Sequence, residues 1–212
     1  MGAYQIKKLG MALAGAMALA MAPAANAAVY ISFAGGTGVV AAGQTLITDF
    51  SSPYAGLTGG IITNNQPWAA VPAFTMTPNK FLAVVGGAMA DLSFAATNVL
   101  SFDLGSSDVY NSFQLVFADG TMSQVYNGND LTSPANGNQG SALTNGRVTI
   151  KSNQQITGIH LASASNSLEV DDFASRLAGG IPEPATWALM MLGVGGIGAS
   201  LRTRRRRVLA AA

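Results

Sequence analysis

Val109-Tyr110-Asn111-Ser112-Phe113-Gln114-Leu115-Val116-Phe117-Ala118-Asp119-Gly120-Thr121-Met122-Ser123-Gln124-Val125-Tyr126 is the stretch whose reading decides the fold. Val109 to Ala118 alternates apolar and polar positions, Asp119-Gly120 has the composition of a two-residue hairpin turn, and Thr121 to Tyr126 returns. With Ala118 opposite Thr121, Phe117 faces Met122, Leu115 faces Gln124 and Phe113 faces Tyr126. That face is the expected core face, because side chains in a strand alternate between the two sides. Gln114, Val116 and Ser123 then look away from it.

The same pattern continues outward. Short β-branched or aromatic runs separated by turn residues predict strands at Ala28 to Phe33, Thr45 to Phe50, Phe81 to Val85, Asp91 to Phe94 and Val99 to Leu104. Further strands are expected at Arg147 to Lys151, Gln155 to Ala162 and Ser167 to Phe173, and Gly128 to Asn145 reads as a long loop. No heptads, long helical stripes or fixed-period repeats occur between the termini. Residues 28–180 are therefore expected to form one all-β domain, a β-sandwich of jelly-roll type.

Both flanks read as export devices. Lys7 and Lys8 precede an apolar stretch from Leu9 to Met21, and Ala25-Asn26-Ala27 supplies the small residues that signal peptidase requires. Residues 1–27 are thus expected to be a signal peptide cut after Ala27, engaging the Sec translocon. At the other end, Pro182-Glu183-Pro184 precedes Trp187-Ala188, an uncharged run to Leu201, and a cluster made by Arg202, Arg204, Arg205, Arg206 and Arg207. As a helix, residues 187–201 would cover roughly 22 Å, short of a hydrocarbon core of about 30 Å. The arginines are expected to stop transfer and stay cytoplasmic while Trp187 takes the opposite interface. Pro182 and Pro184 keep the intervening segment extended.

Together, motif (182–188), apolar helix (187–201) and arginine cluster (202–207) resemble the PEP-CTERM sorting signal in its variant with Trp-Ala after the motif. The resemblance implies that residues 181–207 are read by exosortase, an integral-membrane processing enzyme, after transient anchoring in the inner membrane. It also implies delivery to the cell surface or the extracellular space. Residues 208–212 form a short tail beyond the arginines, where such signals often stop. A second resemblance is carried by Tyr54-Ala55-Gly56, Phe81 to Gly87, Gly105 to Asn111, Gly137-Asn138-Gln139 and Leu168-Glu169-Val170-Asp171-Asp172. These segments are similar to a family of exosortase-dependent surface proteins of unknown activity. The family's last motif usually reads Phe-Glu-Val-Asp-Asn, so Leu168 and Asp172 depart from it. This likeness implies a surface β-sandwich akin to carbohydrate-binding modules and implies no catalysis.

Composition narrows the chemistry. The formal charge of +1 counts Lys7, Lys8 and the tail arginines; residues 28–180 hold four cationic side chains against nine acids, a net −5. Nucleic acid is excluded as a partner on that balance. With no cysteine there is neither a disulfide nor a thiolate metal site, and one histidine, His160, cannot build a two-histidine centre. His160 is expected at the surface, opposite Ile159 and Leu161. No Gly-x-Ser-x-Gly elbow is present, and no catalytic residue is expected.

The acids and exposed aromatics remain. Glu169 and Asp171 share one strand face, a spacing that the alternative reading as a glycan-active extracellular enzyme would use. That strand also resembles the Glu-x-Asp-x-x-Glu strand of one jelly-roll glycosidase family, but Ala174 stands where its third acid belongs. Asp49, Glu169, Asp171 and Asp172 are the candidate ligands of a structural calcium, which wants several hard oxygens. Trp68, Tyr54 and Tyr110 are the candidate platforms for a polysaccharide, because apolar sugar faces stack on rings.

Overall fold

Leu100, Phe102 and Leu104 alternate along the chain with Ser101 and Asp103, so a strand here must bury one apolar face and set polar groups on the other. The computed structural model describes residues 27–76, 80–176 and 190–195. Residues 1–26 of the expected signal peptide (1–27), the sorting motif, most of the expected apolar helix, the arginine cluster and the tail lie outside the described residues. Residues 190–195 are helical and exposed, and among the described residues no helix is long and apolar enough to cross a membrane.

The strands are β1 (Val29–Gly35), β2 (Thr45–Thr48), β3 (Leu57–Gly59), β4 (Ile61–Thr63), β5 (Phe81–Val84), β6 (Met89–Gly105), β7 (Asn111–Phe117), β8 (Tyr126–Asn127), β9 (Gly146–Ser163) and β10 (Leu168–Arg176). They form one antiparallel sheet, ordered β4-β5-β10-β6-β9-β7-β8, with β1 joined to β9, β2 to β10 and β3 to β6. The all-β single domain expected from the sequence is what forms. Its two layers, however, belong to one sheet folded over on itself.

The fold lies in the two long strands. The two runs expected at Asp91 to Phe94 and Val99 to Leu104 are halves of the 17-residue β6, and those at Arg147 and Gln155 are halves of the 18-residue β9. The β6–β9 register shifts between Ser93 and Thr97 and again between Thr97 and Val99. Such irregularities bend strands and let them pass from one layer to the next. The second half of β6 and the first half of β9 lie between β10 and β1; their other halves lie between β3 and β7. The layers meet through aromatic rings. Phe102 of one packs edge-on against Phe113 of the other at 6.0 Å and stacks on Phe173 at 5.0 Å.

The hairpin at Val109 to Tyr126 is present with a different turn. Phe117 N–H donates to the Thr121 carbonyl and Gly120 N–H to the Phe117 carbonyl, so three residues, not two, make the loop. Gly120 has φ +81, the left-handed geometry a three-residue hairpin loop demands. Val116 therefore faces Met122, and Phe117 does not. One extra residue on the returning side restores the expected pairing of Phe113 with Tyr126, whose rings stack at 5.3 Å. Phe113, Leu115 and Phe117 are buried as expected, with Gln114 and Val116 on the other face. The expected loop after Tyr126 opens with a one-turn helix, α1 (Gly128–Leu131), closed by a reciprocal pair of hydrogen bonds between Asn127 and Asp130.

Truncating Phe102 removes the ring that joins both layers. Phe102→Ala is expected to lower unfolding free energy by about 3–5 kcal/mol. Tyr30→Ala, at a side chain 64% exposed, should change it by less than about 0.5 kcal/mol; urea denaturation of both variants reads the contrast.

Candidate functional site

The outer face of the β10–β6–β9 layer carries Glu169 and Asp171 from β10, Asp103 and Ser101 from β6 and Arg147 from β9. Asp171 and Asp103 are cross-strand partners, as are Asp103 and Arg147, so three charged groups form a row across the sheet. This face does not meet water. The segments around Gly38 and residues 65–76 cover it, leaving Asp103 1%, Asp171 0%, Asp172 2%, Glu169 2% and Arg147 3% exposed. A Cβ at Gly38 would come within 2.3 Å of the Phe74 carbonyl oxygen and 2.6 Å of Asp103 Oδ2. Only glycine lets the two covering segments seat this closely.

Arg147 organises the row. Its Nη1 donates to Asp103 Oδ1 at 2.5 Å and to the Gly38 carbonyl at 3.4 Å. Its Nη2 donates to Ser101 Oγ at 2.9 Å and to the Asp172 carbonyl at 2.8 Å. Asp172 sits at the β10 irregularity with φ 45, which turns its carboxylate towards the covering segment. There it accepts from Thr75 Oγ1 at 2.8 Å and Met76 N at 3.3 Å. Asp171 Oδ1 accepts from Asp172 N at 2.8 Å, and its Oδ2 accepts from Thr75 Oγ1 at 3.3 Å. Glu169 takes hydrogen bonds from Ser167 Oγ and the Ala70 amide.

Burial dominates the electrostatics. It pushes Asp171 up to about 8 and Glu169 up to about 7, since an ionised carboxylate loses its hydration there. Burial also raises Asp103, to about 7, but Arg147 in direct contact pulls the other way. Asp171 is raised furthest and keeps its proton at neutral pH, while Asp103 is the carboxyl that contacts Arg147, at 2.5 Å.

The structure brings Glu169, Asp171 and Asp172 together as expected and seals them from solvent. Asp49 does not join them: its Oδ1 accepts from the Ser51 amide at 3.0 Å and hydroxyl at 2.6 Å. Among the described residues no group of three or more histidine or acidic side chains is placed to hold a metal ion. The guanidinium of Arg147 supplies a countercharge within the row through its contact with Asp103. Asp103 and Arg147 were not singled out from the sequence, although a signal existed. Each is a charge flanked by core positions in an alternating strand, which places it on a face that must be covered or wet.

Two of the three candidate aromatics have structural work. Tyr54 Oη donates to the Ser93 carbonyl at 2.8 Å, and Tyr110 Oη to the Asn166 carbonyl at 3.0 Å; both rings are half-buried. Trp68 is 36% exposed at the tip of the tight Gln66–Ala69 turn, its carbonyl held by Ser167 Oγ at 2.9 Å. His160 lies opposite the buried Ile159 and Leu161, as expected, with Nδ1 2.5 Å from Asp91 Oδ1.

Removing one member of the buried pair strands the other. Arg147→Met is expected to cost about 3–5 kcal/mol in urea denaturation because Asp103 is left buried without its counterion. The acids also set a pH dependence. Unfolded, these carboxyls ionise near pH 4; folded, Asp171 and Glu169 hold their protons to about 8 and about 7. Between those limits the unfolded chain binds fewer protons, so stability falls as pH rises from about 4 to 8. Asp171→Asn should flatten that slope, measured as urea midpoints across the range.

Comparison with known proteins locates a familiar segment only at the C-terminal end. No curated protein is significantly similar in sequence. A solved catalytic domain of a GH87 alpha-1,3-glucanase in complex with tetrasaccharides aligns with 70% of this chain at 11% identity and a TM-score of 0.42; the chain spans 29% of that structure. A likeness at that score carries no inference about this chain. Residues 180–206 match the PEP-CTERM protein-sorting motif, and with it the chain carries the mark of an exosortase-dependent, exported protein.

Proposed function

We propose that the domain at residues 28–180 is a non-catalytic component of the cell surface or extracellular matrix that contacts polysaccharide. In this reading the Sec translocon and signal peptidase handle the N-terminal end. The tail rests in the inner membrane with its arginines cytoplasmic until exosortase releases the domain. The observation that carries the reading is the sorting motif at residues 180–206. The non-catalytic part is supported by the burial of Glu169 and Asp171, at 2% and 0% exposure with their oxygens engaged by the covering segment. A carboxyl that acts on a glycosidic bond must reach the substrate, and these two are roofed over.

Replacing Glu183 or Pro184 is expected to leave the full-length chain in the cytoplasmic membrane fraction. The intact mass of wild-type protein extracted from the surface should lack both the first 27 residues and the arginine cluster. Unchanged surface delivery of a Glu183→Ala, Pro184→Ala variant would overturn sorting by this motif.

A further inference from the structure

The β7–β8 hairpin and the start of β1 line a cleft of about 590 Å³. Its size is in the range of pockets that hold small organic ligands. Phe117, Met122 and Tyr126 supply its apolar wall. Tyr126 is fixed there by its stack on Phe113 at 5.3 Å, so one ring face is spent on the core while the ring still borders the cleft. The polar wall is Gln124, Gln154 and Asp119. Asp119 Oδ2 accepts from Gln154 Nε2 at 3.3 Å, an amide–carboxylate pair that leaves the Gln154 carbonyl oxygen as an acceptor. No lysine or arginine lines the cleft.

We propose that this cleft binds a neutral oligosaccharide chain. A rigid ring beside planar amides and one carboxylate meets both faces of a sugar, the apolar C–H face by stacking and the hydroxyls by paired donors and acceptors. Charge complementarity separates neutral from acidic glycans. A uronate polymer would bring carboxylates to a wall whose only charged side chain is Asp119, with no cationic side chain to receive them. Cleavage after Ala27 removes one residue from the rim and leaves the new terminus of Ala28 on Asn153 Oδ1, where the amide now donates at 2.8 Å. Trp68, by contrast, sits at the tip of a tight turn and does not line this cleft.

The proposal rests on the reading of the domain as a polysaccharide-contacting surface component, and the test separates the two. Surface-extracted protein is titrated calorimetrically with malto-, cello-, laminari- and xylohexaose and with an oligouronate of equal length. At least one neutral hexasaccharide is expected to bind and the oligouronate not to. Gln124→Ala, at an exposed side chain, and Tyr126→Ala should each weaken binding at least tenfold, while Trp68→Ala leaves it within twofold. The Gln124 variant guards against loss of folding in the Tyr126 variant. Neutral-glycan binding that survives both cleft substitutions overturns the cleft and leaves the surface-component reading standing. Failure of the wild-type protein to bind any of the four neutral probes overturns the glycan assignment and reduces the domain to a structural coat.

Discussion

A guanidinium placed on the outer face of a sheet must be solvated by something, and at Arg147 that something is protein. The four contacts of its Nη atoms reach β6 through Ser101 and Asp103, β10 through the Asp172 carbonyl, and the covering segment through Gly38. The ion pair thereby joins three adjacent strands to the layer above them. Buried ion pairs add little net stability relative to apolar residues of the same volume, but they tolerate no partial assembly. What Arg147 contributes is attachment: its Nη atoms tie the Gly38 segment to β6 and β10.

The second constraint is geometric. A folded sheet made from two strands of 17 and 18 residues needs a bend in each, placed so that apolar faces on both sides of the bend point inward. In β6 the interruption lies between Leu92 and Leu100; in β9 it lies between Ile150 and Ile156. All four side chains are buried in one core, so the face is conserved across the corner although the register is not. The stretch 152–155, polar and half-exposed to exposed, is the outside of that corner.

Much of this was legible in the sequence, because period-two alternation is a local signal. The core face of β7, the apolar face of β10 and the outward position of His160 all follow from counting residues two at a time. The joining of four expected strands into two was not legible, since Phe94-Ala95-Ala96-Thr97 and Ser152-Asn153-Gln154 read locally as breaks and only the pairing across β6 and β9 shows them as bends. The turn at Asp119-Gly120 misled in the same way: the dipeptide suits a two-residue turn, and the extra residue is revealed only by the partner strand. At the site, the acids of β10 were found by spacing. Their neighbours were not, because Asp103 and Arg147 are 44 residues apart and Thr75 arrives from a segment without regular structure.

One consequence of the topology concerns timing. β10, the last strand among the described residues, sits inside the sheet between β6 on one side and β5 and β2 on the other. Its final residue, Arg176, precedes the start of the sorting motif at residue 180 by so little chain that the keystone and the address label emerge almost together. A chain exported from its N-terminal end thus delivers this interior strand and its destination tag one directly after the other. The order of the letters makes maturation of the domain and presentation of the tail nearly one event.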